Sequence, residues 1–192
     1  MSGYITNGVP NITLTTGAEQ ASFDTQGANG SSPQTASISI QQLSNLISFY
    51  GNGLSKTMVA GSIYYSSINI GNPATLTGIS VKIGATGGTD TWIVGLYSPT
   101  GALLASSTLS GTTAGTAATW QQLAFTATYN LTVPGQYFLA LQSSGTTATF
   151  ESVNAPTSTT FTGSKTGAAG TLTSITPPTT YTANLGPKAL VY

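Results

Sequence analysis

Four carboxylates, Glu19, Asp24, Asp90 and Glu151, four lysines and nine tyrosines make up the titratable side chains of this 192-residue chain, which has no His, no Cys and no Arg. General acid–base and nucleophilic catalysis need a titratable group held against a partner. A metal site needs several His, Cys or carboxylate ligands converging on one point. The four acids are far apart in sequence, and three of them fall in stretches rich in turn residues. A glycosidase-type carboxylate pair would require Asp90 to meet Glu151. Calcium at Asp90, beside Gly87-Gly88, would lack the cluster of acids such a site uses. No lysine-bearing phosphate loop follows Gly61 or Gly87-Gly88, so no nucleotide site is implied. The expectation is a non-enzymatic protein with no cofactor and no metal, whose Thr, Ser, Gly, Ala, Asn and Gln surface binds and assembles.

Charged residues make up only 4% of the chain against 39% hydrophobic ones, and the net charge is zero. Without a basic cluster there is no counterion-release term for nucleic acid and no attraction to anionic lipid, so neither partner is expected. No apolar run approaches the length of a membrane span. Nine Tyr, six Phe and two Trp argue for a folded chain rather than a disordered one. A chain of this length can bury about 70% of its unfolded surface in one core. Near-zero net charge favours association, so coverage by partner subunits is expected to keep the protein in solution. Met1-Ser2-Gly3-Tyr4 lacks the basic start and apolar run of a signal peptide, which makes synthesis in a cytosol without export the simplest expectation.

Residues 1–55 are expected to form an extended N-terminal arm and one short helix, and 56–192 a β-sandwich domain. The first 36 residues are polar and broken by Gly and Pro, the pattern of an extended arm or a small subdomain, and Ile12 and Leu14 alternate with polar neighbours as in a short strand. In 39–50, Ile40, Leu43, Leu46 and Ile47 follow a helical spacing, with Ser39 as the N-cap and Gly51-Asn52-Gly53 as the stop. Beyond Lys56, short alternating apolar runs between Gly, Pro and Asn signal antiparallel strands at 57–70, 75–84, 91–98, 102–109, 119–129, 135–142, 147–153 and 188–192. The fold class is thus all-β, an antiparallel sandwich of jelly-roll type. The runs 75–84 and 90–98 are expected to pair as a hairpin, and Tyr97-Ser98-Pro99-Thr100-Gly101 to turn into the next strand. A Thr-, Gly- and Pro-rich stretch, 154–187, is expected to wrap as a long loop rather than stand as a mucin-like stalk. Phe161, Leu172, Ile175, Tyr181 and Leu185 would anchor it.

Sugar binding by exposed aromatics would draw on Tyr64, Tyr65, Trp92, Trp120 and Tyr129. A core position is favoured for each of them. Trp92 is in phase with Val94 and Leu96, and Trp120 precedes Leu123 and Phe125. The residues expected to contact other subunits are Ile12, Leu14 and Phe23 in the arm, Leu43, Leu46 and Ile47 on the helix, and Phe161 and Tyr181 in the loop.

Two blocks carry a resemblance. Ile12-Thr13-Leu14-Thr15, Gly17-Ala18-Glu19, Phe23-Asp24-Thr25 and Gly30-Ser31-Ser32-Pro33-Gln34 resemble the opening of small structural proteins of tailed bacteriophages. Ile63-Tyr64-Tyr65, Ile79-Ser80-Val81-Lys82-Ile83-Gly84, Val94-Gly95-Leu96-Tyr97-Ser98-Pro99-Thr100-Gly101 and Pro134-Gly135-Gln136-Tyr137-Phe138-Leu139-Ala140-Leu141 resemble the sandwich of phage virion proteins. The resemblance spans most of the chain, its motifs are structural, and it transfers no active-site residue. It implies a virion protein assembled in the bacterial cytoplasm and sited on the capsid surface. The expected role is a head decoration or cement protein, a homotrimer whose partners are the major capsid protein and copies of itself. The alternative is a tail-fibre or head-fibre domain that recognises host glycans.

Overall fold

Strands rich in β-branched and aromatic residues, separated by Gly, Pro and Asn, account for the regular structure of the chain. A computed structural model describes the backbone of 11–13, 20–25 and 34–39, and residues 53–153 and 161–192 with their side chains. The chain divides into two compact units, Met1–Ile47 and Ser48–Tyr192.

In the first unit, β1 (Asn11–Thr13), β2 (Gln20–Thr25) and β3 (Gln34–Ser39) form an antiparallel sheet in the order β1-β2-β3, with Ile12 opposite Phe23 and Ala21 opposite Ile38. A small sheet thus stands in the segment expected as an extended arm or a small subdomain, and β1 lies at the short strand expected about Ile12. Its cause is visible in Ala21 and Phe23 and in Ala36 and Ile38, which keep the two-residue period of a strand. Ser39, expected to cap a helix, is instead the last residue of β3. The remainder of that helix, with Leu43, Leu46 and Ile47, lies outside the described residues, as does Leu14. No helix occurs among the described residues.

The second unit contains β4 (Ser55–Thr57), β5 (Ile63–Ile70), β6 (Ala74–Lys82), β7 (Thr91–Tyr97), β8 (Leu103–Ser106), β9 (Thr112–Thr113), β10 (Trp120–Leu131), β11 (Gly135–Ser143), β12 (Thr149–Glu151), β13 (Thr162–Lys165) and β14 (Ala189–Val191). The larger sheet runs β13-β5-β11-β7-β8, with β9 also on β7; the smaller runs β10-β6-β14, and β12 pairs with β4. All pairings are antiparallel. Trp92, Val94 and Leu96 of β7, Leu139 and Leu141 of β11, and Ile79, Val81 and Ile83 near β6 meet in one core. This is a sandwich-like arrangement of two sheets, and Trp92, fully buried in it, leaves its indole N–H without an acceptor among the described residues.

One feature departs from the expected pairing. The runs 75–84 and 90–98 are not a hairpin: β6 pairs with β10 and β14 while β7 pairs with β11 and β8, so 83–90 carries the chain from one sheet to the other. The physical reason is that both strands point apolar side chains at the same core, which two facing sheets satisfy. Leu76 and Ile79 are both buried three positions apart because Thr77 and Gly78 both donate to the Tyr192 carbonyl, a β-bulge that resets the alternation. The turn at 98–101 does form: Ser98 N–H bonds the Ala102 carbonyl, and Gly101 sits at φ 86 with its own carbonyl accepting from Ile175 N–H at 2.9 Å.

The larger sheet is buried on both faces. On the side away from the core, Ile63, Tyr65, Tyr97, Phe138 and Ala140 form a second cluster, covered by Phe161, Leu172 and Ile175. The described part of the long loop, 161–187, is therefore a strap across the outer face, with β13 inside it. That coverage explains why β7 and β11 are nearly continuous apolar runs rather than alternating ones.

Candidate functional site

Each described carboxylate is held by the domain's own groups. Asp90 is nearly buried, and its Oδ2 accepts from the backbone N–H groups of Thr147 at 2.6 Å and Ala148 at 2.7 Å. Gly145 packs so closely on it that a Cβ there would meet Oδ1 at 2.1 Å. Asp90 thus fixes the 145–148 connection, as a carboxylate does when it ties down loop donors. Glu151 pairs with Lys188 at 2.9 Å, in a site where the two side chains are 19% and 10% exposed, and its Oε1 also accepts from Gly53 N–H at 3.3 Å. This cluster ties β12, the residue before β14 and the entry to the sandwich at one point. A buried pair of this kind fixes geometry more than it adds stability. No group of three or more metal-ligating side chains occurs among the described residues.

The strap is secured by polar groups at fixed points. Gln142, fully buried on β11, donates through Nε2 to the carbonyls of Gly61 at 2.7 Å, Ala168 at 3.1 Å and Thr171 at 3.0 Å, and its Oε1 accepts from Gly170 N–H at 3.1 Å. Lys165 donates to the Ser174 carbonyl at 2.6 Å. The phenols of Tyr97 and Tyr65 donate to the carbonyls of Thr173 and Thr176, at 3.1 and 3.2 Å. Phe161 exchanges bonds with Ser67 and packs on the sheet, while Tyr181 donates to the Val153 carbonyl at 3.3 Å. These two expected contact residues are half-buried within their own domain. Ile12 and Phe23 are paired in the N-terminal sheet.

Burial raises the phenol pKa of Tyr97 far above its ordinary 10.0, and raises those of Tyr65 and Tyr181 as well. Below pH 10 these phenols are neutral in both folded and unfolded chains, and stability is unaffected. Above it the unfolded chain loses the protons first, so unfolding is favoured increasingly as pH rises. The expected outcome is a denaturation midpoint that is flat to about pH 10 and then falls, with a shallower fall in Tyr97→Phe. Urea titrations between about pH 8 and 12 measure it.

The outer face of β10-β6-β14 carries aromatic, cationic and amide side chains. In register, Trp120 lies beside Lys82, Ser80 lies between Gln122 and Leu190, and Ala124 lies beside Gly78. The Tyr192 ring rests on Gly78, where a Cβ would stand 2.4 Å from the phenol oxygen. Trp120 is 42% exposed, contrary to the core position expected for it, and Tyr192 is 37% exposed. The strand period explains Trp120: Leu123 and Phe125 point inward, so positions 120, 122 and 124 point outward. Tyr64, Tyr65 and Trp92 are buried as expected, and Tyr129 is half-buried. Lys82 Nζ lies 6.0 Å from the Trp120 ring centroid and donates to the Ala118 carbonyl.

Sequence reasoning passed over Gln142 and this outer face. Gln142 carried a signal, a lone amide ending the apolar run Tyr137-Phe138-Leu139-Ala140-Leu141. Tyr192 carried none, because its neighbours on the face come from strands distant in sequence. No protein-family model, no curated protein and no solved structure matches the chain.

Proposed function

We propose that this chain is a non-enzymatic structural protein of a tailed-phage virion, a decoration or cement protein that clamps the head shell as a homotrimer. The observation that carries the reading is that Asp90 and Glu151 are both engaged by backbone donors or Lys188, which turns ionisable groups into fasteners rather than reagents. The strap is tied to its own sheet by Gln142, Lys165 and the phenols, so the separate N-terminal unit is the part assigned to the shell. Clamping of this kind acts through buried apolar area, at about 25 cal/mol per Å², repeated over many copies.

The sandwich itself fits a jelly roll. The order β5-β11-β7-β8 puts the last long strand between the first and third, and β6 pairs with β10, as happens when a long hairpin folds over on itself. Counting copies of the chain on purified particles tests the assignment: decoration demands a number in fixed proportion to the shell subunits.

A second reading, a fibre domain that recognises host glycans, is favoured by one observation, the 42% exposure of Trp120 on the outer face of β10-β6-β14.

A further inference from the structure

Trp120 and Tyr192 occupy opposite corners of the outer face of β10-β6-β14; the Tyr192 ring covers Gly78, and Ser80 lies between that ring and Trp120. With strands about 4.8 Å apart and same-face residues about 6.7 Å apart along a strand, the two backbone positions are separated by about 16 Å, and the Tyr192 ring reaches inward from its corner over Gly78. Two exposed aromatic rings with polar side chains between them form a patch. It matches a short chain of sugar rings, whose C–H faces stack on aromatic rings while their hydroxyls seek donors and acceptors. Gln122, exposed between the two corners, supplies both from one amide.

Charge narrows the class of ligand. Lys82 lies against Trp120, and neither described carboxylate is free to neutralise it: Asp90 holds Thr147 and Ala148, and Glu151 holds Lys188. An ammonium beside an exposed indole complements a sugar that carries its own negative charge. We propose that this face binds an acidic oligosaccharide, one bearing a sialic or uronic acid, with the rings stacked on Trp120 and Tyr192 and the carboxylate on Lys82. The inference rests on the glycan-recognition reading and is independent of shell assembly, since the copy number on particles can come out either way without touching it.

The test is a titration of the isotope-labelled full chain with sialyl-lactose, trigalacturonate and lactose, followed by NMR. Expected are shifts of the Trp120 indole N–H with one of the acidic sugars, affinity at least roughly tenfold weaker for lactose than for sialyl-lactose or trigalacturonate, and a loss of about tenfold or more in Trp120→Ala and about threefold in Lys82→Gln. Gln122→Ala, a change at an exposed side chain, supplies a third variant should Trp120→Ala fold poorly; about threefold weaker binding is expected. No shift with either acidic sugar at about 10 mM, binding indifferent to all three substitutions, or lactose bound as well as the acidic sugars would overturn the proposal.

Discussion

Replacing Gln142 by leucine is expected to lower the unfolding free energy by about 3–5 kcal/mol, the largest effect of any single polar substitution in the sandwich. Leucine fills nearly the same volume, so the loss is not one of packing. The amide serves the carbonyls of Gly61, Ala168 and Thr171 and the N–H of Gly170, and the leucine leaves them without that partner beneath the strap. Each buried backbone group left unpaired costs about 1–3 kcal/mol, reduced where water can enter. Urea titration gives the total, and hydrogen exchange localises it: Gly170 should lose protection before the strands of the larger sheet do. A loss under about 1 kcal/mol would mean that the strap is held by its apolar contacts alone.

Asp90→Ala is expected to cost about 3 kcal/mol, and Asp90→Asn about half of that. Alanine removes the oxygen that receives the N–H groups of Thr147 and Ala148, and Ala148 is fully buried. Asparagine keeps one oxygen to accept them but brings an NH₂ group and no charge. Gly145, pressed against the carboxylate, leaves the new amide little space to turn. The ordering wild type, Asn, Ala in urea midpoints checks this assignment. Equal stability of all three would contradict the fastening role given to this acid.

Local pattern carried most of the second unit. The strands near 75–84, 91–98, 119–129 and 135–142 are present with ends shifted by a few residues, because alternation about Val81, Val94 and Leu139 is a short-range signal. The run 57–70 is broken at Gly61, whose φ of 76 turns the chain between β4 and β5. Which strands pair was harder to see. The crossing of 83–90 between sheets depends on β6 meeting β10 and β14, partners up to about a hundred residues away, and alternation is the same for a hairpin and a sandwich arch. In the small sheet at 11–39 the alternation about Ile12 is legible, while β2 and β3 are hidden by their shortness and polarity. The exposed face fared worse. Trp120 was assigned to the core by its neighbours, although the two-residue period from Leu123 places it outside, and Tyr192 reaches Gly78 only through the bulge at Thr77.

Quantitative mass spectrometry of intact, purified virions, with a labelled standard for this chain and for the shell subunit, tests the assembly account most directly. The account predicts a fixed stoichiometry of this chain to shell subunits, retained through density-gradient banding and lost when the Met1–Ile47 unit is removed. A handful of copies per particle, or none, would contradict it.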